Sequence, residues 1–294
     1  MAATDHVLTI QSRLTGRDHQ LLEWLADHGV LTSDQIARAL FPSLDACQRR
    51  LQTLHNAHVL GRFRPQRWEG GSYPYHYVLD QLGVDVVAAQ RGGPIPRRTA
   101  AKQRRWHLTQ RANLDHKLGV NGFFADLAGY ARTQPGAALL QWRPAGFFQG
   151  EGSFREPGDS PFKSLLRPKV RPDAAGVFAE DGRQVKFWFE YDTGSESLTV
   201  LVDKMHQYSD MANDFERVRP VLFSLRSAAR EGNLHQRLRE AGVTHPAATL
   251  ARDSLPAGRC AANAVWWAPQ GDPARKRLID LDRFVLDRHT DRDL

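Results

Sequence analysis

Two cysteines, Cys47 and Cys260, are all that 294 residues contain. Set that far apart, they give neither a disulfide framework nor the paired spacing of a zinc site. No apolar run reaches the roughly 18 residues of a membrane-spanning helix. The opening MAATDHVLTIQSR lacks a basic stretch followed by an apolar core, so no signal peptide is expected. A Gly-rich phosphate loop is missing too, which argues against an ATPase or a dehydrogenase. These absences leave a cytoplasmic globular protein as the expectation.

A chain of 294 residues suits two domains rather than one. Its charge is uneven. Residues 44–111 hold twelve Lys/Arg against four Asp/Glu, whereas residues 1–43 hold three against five and residues 112–294 hold 25 against 24. The net excess of +7 therefore sits in one short region. Such asymmetry points to a polyanion contacted by the N-terminal third.

That third has the pattern of three helices followed by a hairpin. The first helix runs from about Arg17 to His28, with Leu21, Leu22, Trp24 and Leu25 as its apolar stripe and Gly29 as its stop. Thr32 to Gln35 reads as a capping box opening a short second helix through Leu40. Ser43 caps a third, from about Leu44 to His58. On it, Leu44, Cys47, Leu51 and Leu54 share a core face. Asp45, Arg49, Gln52, Thr53 and Asn56 lie opposite, with Gln48 and Arg50 on the flanks. Arg, Gln and Asn make bidentate contacts to base edges in the major groove. A helix-turn-helix with such a second helix is a DNA reader in form. Residues 61–68 and 75–79 around the Gly70-Gly71-Ser72 tip predict a wing, with Arg62, Arg64 and Arg67 directed to phosphates or a neighbouring minor groove. Domain limits follow: a winged helix over 1–91, a basic Gly/Pro-rich linker over 92–105, and a second domain over 106–294 that opens with a helix to Tyr130.

In the second domain, Asp181-Gly182 predicts a two-residue type I′ turn, because both residues tolerate positive φ. Centred there, the hairpin of residues 171–192 sets Asp173 directly across from Glu190. Opposed side chains in an antiparallel pair sit about 4.5–5.5 Å apart at Cβ, where like charges destabilise. Two readings follow: a Mg²⁺ (or Mn²⁺) ion between the carboxylates, or a solvated acidic end. Alternation adds Asp192 to the Glu190 face and sends Val185, Phe187, Phe189 and Tyr191 to a core. Around the hairpin the pattern predicts a short strand at 139–142, a long irregular insertion over 144–168 and a helix from Ser197 to about Asn213. A strand at 220–225, a helix at 233–241 and a late strand at 265–268 complete it. The whole reads as α+β with two domains, the second an α/β sandwich on a mixed sheet.

Pro172-Asp173 followed by Glu190-Tyr191-Asp192, flanked by helices, resembles the PD-(D/E)xK nuclease core. Glu190 to Gly194 is similar to the D-Y-K-T-G of that fold's exonuclease branch, which continues with a helical Q-x-x-x-Y. Here Asp192 replaces the strand lysine, and Lys204 stands before Tyr208 where the glutamine belongs. The resemblance implies metal-dependent phosphodiester hydrolysis, with Asp173 and Glu190 holding the metal, Asp192 assisting, and Lys204 orienting water or offsetting charge.

A wider set of motifs resembles the replication-relaxation family of actinobacterial plasmids and integrative elements. Its carriers are R-D-x-x-L-L at Arg17, L-T-x-x-Q-I-A at Leu31, R-R-L-x-x-L at Arg49, Y-H-Y-V-L at Tyr75, H-K-L-G-V-N at His116, Arg171-Pro172-Asp173, and F-E-Y-D-T-G at Phe189. This implies plasmid replication or mobilisation, association with nucleoid or plasmid, and double-stranded DNA as partner. Other replication or relaxosome proteins are further expected partners. A homodimer would go with a palindromic site, and no membrane is involved.

His116, Asn121, Glu196 and Tyr208 are candidates to assist the acidic centre. Lys186 shares the carboxylate face but lies four residues from Glu190, about 13 Å along a strand. Asp203 reads as solvated, and Trp266-Trp267 as core with a rim neighbour. The enzymatic expectation is a Mg²⁺-dependent endonuclease or nickase. Its alternative is a non-catalytic DNA-binding factor on a degenerate nuclease fold. A relaxase-like nickase would instead use Tyr191 or Tyr208 as nucleophile.

Overall fold

The computed structural model describes residues 3–65, 71–94, 96, 97, 99, 102, 103, 111–269 and 274–283. The chain divides into two compact units, Met1–Gly129 and Tyr130–Leu294.

In the first unit, α1 (Ala3–Gln11) and α2 (Gly16–His28) precede a two-residue strand, β1 (Leu31–Thr32). Helices α3 (Ser33–Leu40) and α4 (Leu44–Asn56) follow, then β2 (Leu60–Phe63), β3 (His76–Leu79) and α5 (Gln81–Gln90). The starts are chemically fixed. Thr15 and Asp18 form a capping box on α2, and Thr32 and Gln35 form one on α3. The Ser43 hydroxyl accepts from the Ala46 N–H on α4. Gly29 ends α2 at φ 86°, a conformation open to glycine without strain. Strand β3 pairs antiparallel with both β1 and β2, giving the order β1-β3-β2.

Cys47, Leu51 and Leu54 are buried, in keeping with the core face predicted for α4. Leu44 departs from it at 46% exposed. It is the first helical residue, between the exposed Ser43 and Asp45.

Helix α6 (Arg111–Thr133) was expected to open the second domain, yet most of it belongs to the first unit. Polar ties explain this. Gln35 donates to the Leu118 carbonyl at 2.8 Å, and the buried Asn121 amide donates to the Val30 carbonyl at 2.6 Å and the His28 carbonyl at 3.3 Å. The Asn121 bonds fall on carbonyls at and just past the end of α2, where the helix itself supplies no donors.

The second unit is α+β, with a mixed five-stranded sheet. Its strands are β4 (Ala137–Pro144), β5 (Ala174–Glu180), β6 (Arg183–Tyr191), β7 (Val221–Leu225) and β8 (Ala247–Ala251), in sheet order β4-β5-β6-β7-β8. The first three are antiparallel; β6, β7 and β8 run parallel through the crossover helices α7 (Leu198–Phe215) and α8 (Ala228–Glu240). The β5–β6 register is the predicted one, from Glu180 opposite Arg183 to Ala174 opposite Phe189. Asp181 at φ 50° and Gly182 at φ 76° make the turn.

Both faces of β6 are buried toward its end. Val185, Phe187 and Phe189 are fully enclosed on one side. On the other, Trp188 packs with Leu201, Met205, Tyr208 and Met211 of α7 and with Leu234 and Leu238 of α8. The 144–168 insertion contributes to the same core through Phe148 and Phe154. It forms two 3₁₀ turns, Ala145–Gln149 and Pro161–Leu165. Ion pairs strap it down: Arg217 to both oxygens of Asp159 at 2.6 Å, Lys163 to Glu216 at 3.0 Å, and Arg219 to Glu156.

Three details differ from the sequence pattern. Helix α8 starts at Ala228, five residues early, because Ser227 caps it by accepting from the Arg230 N–H. Strand β8 went unanticipated; its Ala247-Ala248-Thr249-Leu250-Ala251 run is low in the bulky residues that mark strands. The expected strand at 265–268 is reduced to two isolated bridges, Thr249 with Trp267 and Trp266 with Lys276. Among the described residues no helix is long and apolar enough to cross a membrane.

Candidate nucleic-acid interface and acidic centre

The outer face of α4 carries Gln48, Arg49, Thr53 and Asn56 exposed, with Gln52 half-buried. Arg49 pairs with Asp45 at 2.9 Å across one helical turn, and both side chains are more than three-quarters exposed. Gln52 is the joint between helix and hairpin. Its amide donates to Asn56 at 2.6 Å, and its carbonyl oxygen accepts from the Arg62 guanidinium at 2.9 Å. Arg62 and Arg64 lie 4.2 and 3.9 Å from the centre of the Tyr75 ring. A cleft of about 490 Å³ opens here, with Gln48 and Gln52 on one wall and Arg62, Arg64, Tyr75 and Tyr77 on the other. Arg67 lies outside the described residues.

Arg50 departs from the predicted reading face. Its guanidinium grips both oxygens of Asp18, at 3.0 and 2.5 Å, and donates to the Arg13 carbonyl at 3.0 Å. Asp18 is 1% exposed and already completes the α2 capping box, so an uncompensated charge there would be costly. Burial pushes the Asp18 carboxyl up, but Arg50 and Thr15 outweigh it and hold it below its ordinary value. Arg50 thus ties α4 to α2 instead of standing on the outer face with Gln48, Arg49 and Thr53.

In the second unit, several candidates converge at the carboxyl end of β6. Asp173, just before β5, accepts from the Tyr191 N–H at 2.8 Å and so continues the hairpin ladder through its side chain. Glu190 is 2% exposed. One of its oxygens accepts from Lys204 at 3.0 Å and the other from the Tyr208 hydroxyl at 2.6 Å. Lys204 and Tyr208 stand one turn apart on α7, the spacing that puts both over the same neighbour. Lys204 also reaches Glu196 at 3.3 Å. Burial, joined by the nearby Asp173 charge, pushes the Glu190 carboxyl up to about 7. Burial disfavours the Lys204 ammonium, yet Glu190, Asp173 and Glu196 outweigh it and raise its pKa. The enclosed Tyr208 hydroxyl is raised well above its usual value by burial and Glu190.

Asp192 does not join this group. The strand ends at Tyr191, so alternation no longer governs the next side chain. Arg230, in the first turn of α8, takes both oxygens of Asp192 at 2.6 and 2.8 Å. The Asp192 backbone is held as well, its N–H by the Ser224 carbonyl at 3.0 Å and its carbonyl by Arg252 at 2.7 Å.

This donor set does not fit a Mg²⁺ or Mn²⁺ ion in the arrangement found. Such an ion needs carboxylate lone pairs turned toward one point, completed by water. Both Glu190 oxygens are turned to proton donors, and Asp192 is spent on Arg230. Among the described residues no three His, Cys, Asp or Glu side chains are grouped to hold a metal.

The remaining candidates are dispersed. His116 is half-buried and Asn121 buried, both on α6 in the first unit. Lys186 pairs with Glu156 at 3.3 Å, and Asp203 is exposed. Trp266 is fully buried and donates to the Ala261 carbonyl at 2.6 Å, while Trp267 packs on His235 at 4.0 Å. Tyr208 is enclosed, and Tyr191 is half-buried with the Arg252 guanidinium over its ring at 4.1 Å. Arg230 and Arg252 escaped the sequence reading. They lie 38 and 60 residues from Asp192, and no local pattern announces such pairs. A second unforeseen network is buried beside β8. Thr249 donates to Glu231 at 2.7 Å and meets His235 at 2.7 Å, while Arg275 pairs with Glu231 at 2.6 Å.

The features on hand define an α+β protein of two units, one bearing a polar helix beside a basic hairpin, the other an acidic centre on a mixed sheet. The replication-relaxation family matches residues 22–221, and the chain belongs to that family. Membership points to a role in plasmid replication or mobilisation. No curated protein and no solved structure matches the chain.

Proposed function

We propose that this chain is a double-stranded DNA-binding factor of plasmid or mobile-element replication or mobilisation. Its reader is a winged helix in which α4 enters the major groove and the β2–β3 hairpin acts as the wing. The observation that carries this reading is the Gln52–Arg62 bond at 2.9 Å, which locks the base-reading helix to the basic hairpin as one surface. Side chains held in advance lose less entropy on binding. Selection from a random duplex library tests it. Enrichment of one motif, weakened by Gln48→Ala, supports the reading. Retention of all sequences alike, or of none, overturns it. A palindromic motif would add a homodimer on the DNA.

The second unit, in this proposal, keeps a PD-(D/E)xK-like shape without cutting. Its acidic pair is neutralised from within by Lys204 and Tyr208. A competing reading, a Mg²⁺-dependent endonuclease or nickase, is favoured by one observation: Lys204 stands 3.0 Å from Glu190, beside Asp173. Supercoiled plasmid incubated with Mg²⁺ or Mn²⁺ separates the two. Intact plasmid at full DNA occupancy is expected. Cleavage that Asp173→Ala and Glu190→Ala both abolish would establish the hydrolase instead.

A further inference from the structure

We infer that the second unit holds a phosphate of the DNA backbone at the carboxyl ends of β6, β7 and β8, between Arg226 and the Thr193–Ser195 loop. This rests on the DNA-binding reading and adds a second contact to it. Sheets of this kind place ligands outside the carboxyl ends of their parallel strands.

Three arginines converge there from separate segments. Arg226 follows β7, Arg230 stands in the first turn of α8, and Arg252 follows β8. Their charges are not equally spent. Arg230 is taken up by both oxygens of Asp192. Arg252 meets neutral acceptors: the Asp192 carbonyl at 2.7 Å, and the Ser224 carbonyl and hydroxyl at 2.5 and 3.3 Å. Arg226 is exposed and, among the described residues, makes no hydrogen bond or ion pair. The carboxylates at this end are already engaged. Asp192 belongs to Arg230, Glu196 reaches Lys204 at 3.3 Å, and Asp253 accepts from the Ala228 N–H and the Ser254 hydroxyl, each at 2.9 Å. The cluster is therefore cationic in excess. Burial pushes the Arg252 pKa below its ordinary value, and the neighbouring Arg226 charge adds to that.

The loop after β6 is shaped to bring donors to one place. Gly194 sits at φ 87°, and a Cβ there would stand 3.2 Å from Cδ of Arg226. The glycine thus lets the arginine stem lie against the loop. On either side of it, the exposed Thr193 and Ser195 hydroxyls share one hydrogen bond at 2.8 Å. Whichever of them donates, the other keeps its proton for a ligand oxygen. A guanidinium fork matches two oxygens of a phosphate, and a hydroxyl beside it can serve a third. The backbone of a duplex held by the first unit supplies such a group.

The test uses the full chain and duplex DNA, with affinity followed by anisotropy across a salt series. Arg226→Ala should lower the slope of log affinity against log salt by about 1, with an unchanged melting temperature. Arg239→Ala, which removes an exposed arginine from the last turn of α8, should keep the wild-type slope. An unchanged slope in Arg226→Ala, or an equal fall in Arg239→Ala, overturns the inference and leaves the reading of the first unit intact. A wild-type chain that binds no duplex overturns that reading, and this inference with it. A second arm replaces chloride by inorganic phosphate at equal ionic strength, without DNA. A rise in melting temperature that Arg226→Ala abolishes, with no change in the DNA slope, assigns the site to free phosphate and overturns the DNA source. The same rise together with the slope change supports the phosphate site as inferred.

Discussion

Arg230 holds Asp192 in a bidentate pair, at 2.6 and 2.8 Å, at the carboxyl ends of the parallel strands. This one contact removes a carboxylate from the acidic centre beside it. With side chains only 2% and 18% exposed, the pair is largely dry, and losing either partner strands a buried charge. Arg230→Met should therefore destabilise the second unit by about 3 kcal/mol. Adding Asp192→Asn should recover much of that loss. Urea unfolding of both variants checks it, and additive losses would mean that the pair is not coupled.

Glu190 sets the pH response of the second unit. Burial and Asp173 raise its carboxyl in the folded state to about 7, against 4.5 for an ordinary glutamate. The folded chain therefore binds more protons at this group than the unfolded chain does between those values. The stability it contributes is present in full below about 4.5 and is lost as pH rises through about 7. Glu190→Gln should flatten the stability profile over that window. Unfolding free energies of both proteins across pH 4.5 to 7.5 give the readout; parallel profiles would refute the assignment.

Arg50 and Arg64 should separate stability from binding. Arg50→Ala leaves Asp18 buried without its partner and should cost about 3 kcal/mol of stability, with little change in DNA affinity of the folded protein. Arg64→Ala should leave stability within about 0.5 kcal/mol. It should weaken DNA binding and lower the slope of affinity against salt by about 1. Thermal melts and anisotropy at several salt concentrations measure both, and a reversed pattern would move the reading face.

The hairpin was legible at the level of single residue pairs. Asp181-Gly182 specified the turn, the turn specified the register, and the register carried Asp173 to the Tyr191 backbone, beside Glu190. The capping box at Thr32 and the serine cap at Ser43 were equally readable, since each satisfies its helix start within three residues. Lys204 entered the reading through the resemblance to the nuclease motif, and it lies 3.0 Å from Glu190. Arg50 was misread because its angular position on α4 is compatible with either face, and only the location of Asp18, 32 residues away, decides between them.

Local bonding chemistry, then, was determined by the sequence: turns, caps, strand register and the apolar stripe of each helix depend on residues a few positions apart. Tertiary structure decided which charges are spent on one another. Asp192 with Arg230, Asp18 with Arg50, and Glu190 with Lys204 and Tyr208 are each joined across 14 to 38 residues. Buried charges must find partners, and which partner lies within reach is a property of the packed elements rather than of any local segment. In the structure both Glu190 oxygens accept from Lys204 and Tyr208, partners that only the packing of α7 on β6 brings within reach.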